Sequence, residues 1–262
     1  MIASRTGPIR VLEYQFMVYL RVWKSNVAGS VLRPLLYVLG MGLGVGSLVD
    51  DGPRGGQLLA DLTYFQFFAP AIIATTAMQI LTNDSLWPIR GGFVWHGTFH
   101  SQTTAPITPG EVVSGLLMWH LAKGLLSAGG VALVLVFFDS TRGWGLLPAI
   151  GFGALAGVAY SAPLVAWSAS RKNDLAYPNV LRFVIVPMFL FSGAFYPITE
   201  LPGWLQFIAR LTPIWHGVEL CRGALHDTLT VSSTSAHVGF LLVWVTVGWF
   251  AAQRVFTKKL SL

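Results

Sequence analysis

Long apolar runs alternate with short polar connections along the whole chain. The apolar runs fall at about residues 31–49, 64–81, 112–138, 147–166, 180–198 and 238–255. Each is close to the ~20 residues with which a helix crosses a ~30 Å hydrocarbon core. The pattern predicts an all-α integral membrane protein with six transmembrane helices in one domain over residues 1–262. Residues 8–28 read differently. Leu12, Phe16, Tyr19, Leu20, Trp23 and Val27 recur at spacings near 3.6, with Arg10, Glu13 and Lys24 opposite, the pattern of an amphipathic helix. A basic, aromatic-rich helix of this kind suits the membrane interface.

Two further pieces, 201–210 and 214–225, are too short to span and mix apolar residues with Arg210, Glu219 and Arg222. Separated by Pro213, they predict a pair of half-helices over 199–225, just before the last span. In the first span, Gly40/Gly44 and Gly42/Gly46 interleave as two G-x-x-x-G pairs, which predicts a surface that another helix approaches closely. Pro70 predicts a kink in the second span, and Pro178 opens the fifth as a first-turn residue.

Composition sharpens the class. Of 262 residues, 54% are hydrophobic and only 11% charged, against roughly 25% charged in soluble domains. One cysteine, Cys221, excludes an intrachain disulfide and a cysteine metal cluster. Met1–Pro8 is short and polar, so no cleavable signal is expected. The net charge of +6 could suggest nucleic acid, but its distribution does not. With the N-terminus in the cytoplasm, six spans place both termini inside. Arg5, Arg10, Arg21, Lys24, Arg33, Arg90, Arg171, Lys172, Arg182, Arg254, Lys258 and Lys259 then lie inside, and Arg54, Arg142, Arg210 and Arg222 outside. Twelve against four follows the positive-inside rule, puts the half-helix pair at the outer surface, and needs no nucleic-acid partner.

The chain carries no P-loop, no H-E-x-x-H and no G-x-S-x-G. Neither a catalytic residue nor a metal site is expected. His120 and Lys123 are three residues apart in the third span, and intramembrane ionisable groups are functional candidates. A lipid-modifying membrane enzyme would use His120 as its base and would need a second polar partner. A transporter driven by ion gradients would need intramembrane acids, and the six apolar runs contain none.

Three stretches carry a resemblance: F-S-G-A-F-Y-P-I from Phe191, L-P-G-W-L-Q from Leu201, and P-I-W-H-G-V-E-L-C-R-G from Pro213. Their order and spacing resemble the permease subunit of ABC type-2 exporters, a family that includes nodulation-factor, polysaccharide and drug exporters. The resemblance implies a bacterial inner-membrane permease working as a pair, with an identical or paralogous second permease and two separate ABC ATPase subunits. ATP and Mg would be bound by those subunits, with no cofactor on this chain. It implies an amphipathic cargo: lipid, lipid-linked glycan or hydrophobic drug. It also assigns the 82–110 connection as the coupling element that docks on the ATPase, through Trp95, His96, Gly97, Thr98, Phe99, His100, Ala105, Pro106 and Ile107, with Phe99 as the apolar anchor. His96 and His100 stand where the family commonly carries Glu and Arg. A lateral cleft between two permeases would be lined by the first, second and fifth spans. Phe189, Phe191, Phe195 and Tyr196 are the candidate gate, with His120 and Lys123 beside the substrate path.

Overall fold

The computed structural model describes residues 6–24, 32, 34–52, 59 and 62–260, and for Leu43 the backbone alone. Every regular element among them is helical. In chain order these are α1 (Gly7–Arg21), α2 (Pro34–Asp50), α3 (Tyr64–Trp95), α4 (Thr98–Thr104), α5 (Pro109–Leu135), α6 (Leu146–Ser170), α7 (Tyr177–Leu190), α8 (Gly203–Arg210), α9 (Pro213–Leu225) and α10 (Val231–Leu260).

Four helices, α3, α5, α6 and α10, are long and apolar enough to cross a membrane. The other two expected spans, 31–49 and 180–198, correspond to α2 and α7, which are shorter. At 1.5 Å per residue, the 17 residues of α2 reach about 26 Å, just under the ~30 Å core. In both, wider π-helical turns occupy the middle, Val38–Val45 and Leu181–Ile185. Beyond α7 the apolar stretch to Ile198 leaves the helix at Phe191, because Gly193 takes a positive φ of 77°.

α6 is the centre of the bundle, packed against α3, α5, α9 and α10. Small residues make that possible. A Cβ on Gly153 would stand 2.8 Å from Ile73, and one on Gly157 3.2 Å from Ala77, so α6 lies directly on α3. On its other sides Gly217 of α9 abuts Ala156, and Gly248 of α10 abuts Ala162 and Pro163. The glycines expected to form such a seam, those of α2, divide instead. Gly42 lies under the Phe65 ring and Gly46 beside Tyr64, whereas Gly40 has open space where a side chain would project.

Local chemistry sets the ends. Thr63 and Gln66 form a capping box at the start of α3, and Thr108 and Glu111 another at the start of α5. Pro70 does not end α3. It removes the N–H that would reach the Gln66 carbonyl, and that oxygen accepts a hydrogen bond from His226 Nε2 at 3.0 Å instead. The last helix begins before the apolar run 238–255: the Ser/Thr-rich stretch ahead of it is helical from Val231, capped where Thr230 Oγ1 accepts the Ser233 N–H.

α1 follows α5 rather than crossing it. Gly7 sits at Glu111, Val11 at Gly115, and Tyr19 packs edge-on to Trp119 at 5.4 Å. Its packed side is therefore Val11 and Tyr19, while Phe16, Leu20 and Trp23, from the apolar stripe of the expected interfacial helix, are exposed. Residues 25–28, Val27 included, lie outside the described residues, as do Pro53, Gly55 and Asp61 between the first two apolar runs.

The half-helix pair forms close to where it was expected, as α8 and α9. The two differ in setting. α9 is inserted among α3, α6 and α10 with Ile214, Val218, Leu220 and Cys221 fully buried, whereas α8 touches mainly α9 and the short turn Ile198–Glu200 and exposes Trp204 and Phe207.

Candidate functional site

The bundle has two ends, and each gathers sequence-singled residues. At one, the 82–110 connection is mostly helix. α3 runs on past Ser85 through a break at Leu86, where φ is −103° and ψ −93°. The Leu86 carbonyl accepts from the Arg90 N–H at 3.2 Å and from the Ser168 hydroxyl of α6 at 3.1 Å, which ties the break to α6. After Trp95, Gly97 adopts a left-handed φ of 62° and reverses the chain into α4. Ala105 then returns to extended backbone, and Thr108 caps α5.

The result is a seven-residue helix slung between the ends of two long helices. Val94, Trp95, His96, His100, Ala105 and Pro106 face outward, with Trp95 53% exposed. Gly97 and Thr98 are partly covered, and Ile107 is buried. Phe99 departs from expectation. It is 3% exposed and turned into its own chain, its ring over Gly92 and 4.9 and 5.1 Å from the rings of Phe93 and Phe256. It anchors α4 to the bundle and cannot also be an anchor in a partner. Arg90 hydrogen-bonds the Lys172 carbonyl at 3.0 Å and pairs with Asp174 at 3.6 Å, tying this end to the link after α6.

At the opposite end, the three signature stretches converge. Arg222 is the hub of the first and third, and it joins them to α3. Its guanidinium donates to Glu219 at 2.6 Å, to the Gly193 carbonyl at 2.8 Å and to the Phe67 carbonyl at 3.4 Å, and lies 3.8 Å over the Phe67 ring. Gly193 needs its glycine twice, for φ and because Ile198 and Trp215 crowd the place of a side chain. Of the expected gate, Phe195 joins Phe189 at 5.0 Å and Phe68 at 5.6 Å. Phe191 and Tyr196 are partly buried nearby in sequence.

His216 links α8, α9 and α10. Its Nε2 lies 2.9 Å from the Arg210 carbonyl, and its Nδ1 2.7 Å from Nδ1 of His237. A carbonyl only accepts, so His216 Nε2 carries the proton and Nδ1 accepts from His237. Burial pushes the His216 pKa down to about 4, with the Arg210 carbonyl opposing and His237 adding to the shift.

Near the α4 end, Lys123 of α5 pairs with Asp84 of α3, its ammonium 2.6 and 2.9 Å from the two carboxylate oxygens. This corrects the reading that no acid accompanies the spans: α3 extends beyond residue 81 and carries Asp84 with it. The acid is matched by a cation, so it is not a lone intramembrane carboxylate. His120 Nδ1 lies 3.1 Å from the Ser161 hydroxyl of α6, which itself donates to the Val158 carbonyl. Both side chains are buried, joining two helices. A cavity of about 160 Å³ adjoins, lined among others by Gln15, Tyr19, Asp84, Trp119, His120 and Lys123. Among the described residues no group of three metal-ligating side chains gathers.

Asp84, Ser161, Phe93, Phe256 and the hub role of Arg222 escaped sequence reasoning. Only Asp84 left a legible signal, an acid within one helical turn of the end of an apolar run.

A profile of the ABC-2 type transporter family matches residues 9–226. Nodulation protein J of Rhizobium meliloti (strain 1021) is 26% identical over 258 residues, covering 96% of this chain and 93% of the relative. Nodulation protein J of Neorhizobium galegae is 25% identical, covering 97% and 94%. The inner membrane transport permease YadH of Escherichia coli K12 is 24% identical, covering 90% of each chain.

Proposed function

Because the chain belongs to the ABC-2 type transporter family, we propose that it is the permease subunit of an ATP-driven exporter and that α4 docks on a separate ATPase. One observation carries the docking assignment: a short helix held from inside by Phe99 and Ile107 while Val94, Trp95, His96 and His100 face out. The lengths support it. The 32 residues of α3 make about 48 Å of helix, roughly 18 Å more than the hydrocarbon core. A spanning α3 therefore projects its Trp95 end, and α4 with it, beyond the membrane.

In this reading α2 and α7 complete six spans by tilting little or thinning the bilayer locally, which short helices do at modest cost. The basic residues at the α4 end, Arg90, Arg171, Lys172, Lys258 and Lys259, set that end in the cytoplasm of the bacterial inner membrane. Two such permeases and two ATPase subunits form the complex, with ATP and Mg on the ATPases. The cargo is an amphipathic molecule moved through a cleft between the permeases, and Phe189 and Phe195 stand at its outer end. α1, with its exposed apolar side, borders lipid as a tilted interfacial helix.

Co-purification with a co-expressed ABC ATPase subunit tests the docking. Trp95→Ala removes an exposed aromatic anchor, and truncations of that kind commonly cost about 2 kcal/mol at an interface. ATPase binding should weaken roughly thirtyfold, with permease yield unchanged. Wild-type affinity in Trp95→Ala and in a Val94→Ala/Trp95→Ala double variant would overturn the assignment.

A further inference from the structure

We infer that the last turns of α10 belong to the coupling apparatus: Phe93, Phe99 and Phe256 form a three-ring clamp that makes α4 and the Leu260 end of α10 move as one body. The inference rests on the docking of α4 proposed above and deepens it. The three rings come from three elements, the end of α3, α4, and α10. They meet mutually, at 4.9 Å between Phe93 and Phe99, 4.8 Å between Phe93 and Phe256, and 5.1 Å between Phe99 and Phe256. All are edge-on or tilted, the arrangements aromatic rings prefer. Phe256 has no exposed surface and Phe99 almost none.

Gly92 makes the clamp tight, because a methyl group there would run into the Phe99 ring. Polar ties reinforce it. Lys259 lies 5.2 Å over the Phe93 ring and donates to the Arg171 carbonyl at 3.3 Å, while Arg90 holds the next carbonyl, that of Lys172. The end of α3 and the end of α10 thus grip the same link.

The rest of α10 is held differently. It packs on α6 along the Gly248 seam, with α5 and α9 on the same side and Trp249 Nε1 donating to the Ser114 hydroxyl of α5 at 3.0 Å, and exposes Leu242, Val243, Val247 and Phe250 on the far side. A helix supported on one side can tilt, whereas closely packed rings at its end resist separation. A push on α4 is then transmitted to α10 through Phe256, and from α10 to His237, which meets α9 at the opposite end.

The test uses the full complex with its ATPase in lipid nanodiscs, with spin-label pairs at Ser101→Cys/Lys258→Cys and Ser101→Cys/Gly143→Cys. Vanadate with ATP traps the closed ATPase. The clamp requires the Ser101–Lys258 separation to stay unchanged on trapping while Ser101–Gly143 shifts. Phe256→Ala should broaden the Ser101–Lys258 distribution and make it nucleotide-dependent, with ATPase still bound. Phe256→Leu, which keeps most of the bulk and guards against simple misfolding, should stay near the wild-type distribution. A Ser101–Lys258 separation that changes on trapping in the wild type, or one that stays narrow in Phe256→Ala, overturns the clamp. A wild-type permease that fails to retain ATPase sinks the docking reading, and the clamp's coupling role with it.

Discussion

Lys123 shows how a side chain changes meaning once its neighbour is known. Alone in an apolar run it is a costly charge and a candidate for function. Beside Asp84 it is half of an ion pair joining α5 to α3, with side-chain exposures of 14% and 20%. Removing one partner of such a pair leaves the other charge poorly solvated, which costs more than the pair itself contributes. Lys123→Met should therefore lower the stability of the solubilised protein by about 3 kcal/mol, read as a fall in melting temperature. Asp84→Asn added to Lys123→Met should restore most of that loss. Additive losses in the double variant would show that the two side chains do not act as a pair.

At the scale of elements, glycine placement decides how helices meet. α2 and α6 both carry glycines four apart, yet of the two interleaved pairs in α2 only Gly42/Gly46 meets another helix, α3, while Gly40/Gly44 meets none. Gly42 of α2 stands with Phe65 Cδ2 2.6 Å from its absent Cβ, while around Gly44 the nearest atom lies 4.0 Å away, in its own helix. Gly42→Leu should thus destabilise the single chain, lowering its melting temperature and yield. Gly44→Leu should leave the chain itself stable and act only through whatever packs on that face, reducing the dimeric fraction in light scattering if a second permease does. Equal losses of stability in both variants would refute the division of faces.

The whole molecule has an orientation that side-specific labelling can read. The native thiol does not interfere. Cys221 has no exposed surface, and burial raises its pKa to about 12, so a membrane-impermeant reagent should leave it unmodified in the folded protein. Ser170 and Gly143 are exposed at opposite ends of α6 and its preceding turn. In intact cells Gly143→Cys should react with the impermeant reagent and Ser170→Cys should react only after permeabilisation. The reverse pattern would invert the topology proposed for the complex.

What the sequence by itself determined about this protein is local in the chain. Helical class, the four long spans, the break at Pro213 and the half-helices on either side follow from apolar periodicity and from proline and glycine acting on their own neighbours. The signature stretches were legible as motifs for the same reason, and the family they resemble is the family that matches. The tertiary structure decided which face each helix turns inward. Phe99 reads as an exposed anchor until Gly92 and Phe256 provide a pocket for it, and Arg222 reads as a surface charge until the Gly193 and Phe67 carbonyls surround it. Apart from Gly92, those partners lie far away in sequence, and no periodicity encodes them. Contacts between distant segments depend on how whole helices pack, and packing is a property of all the side chains in the interface together.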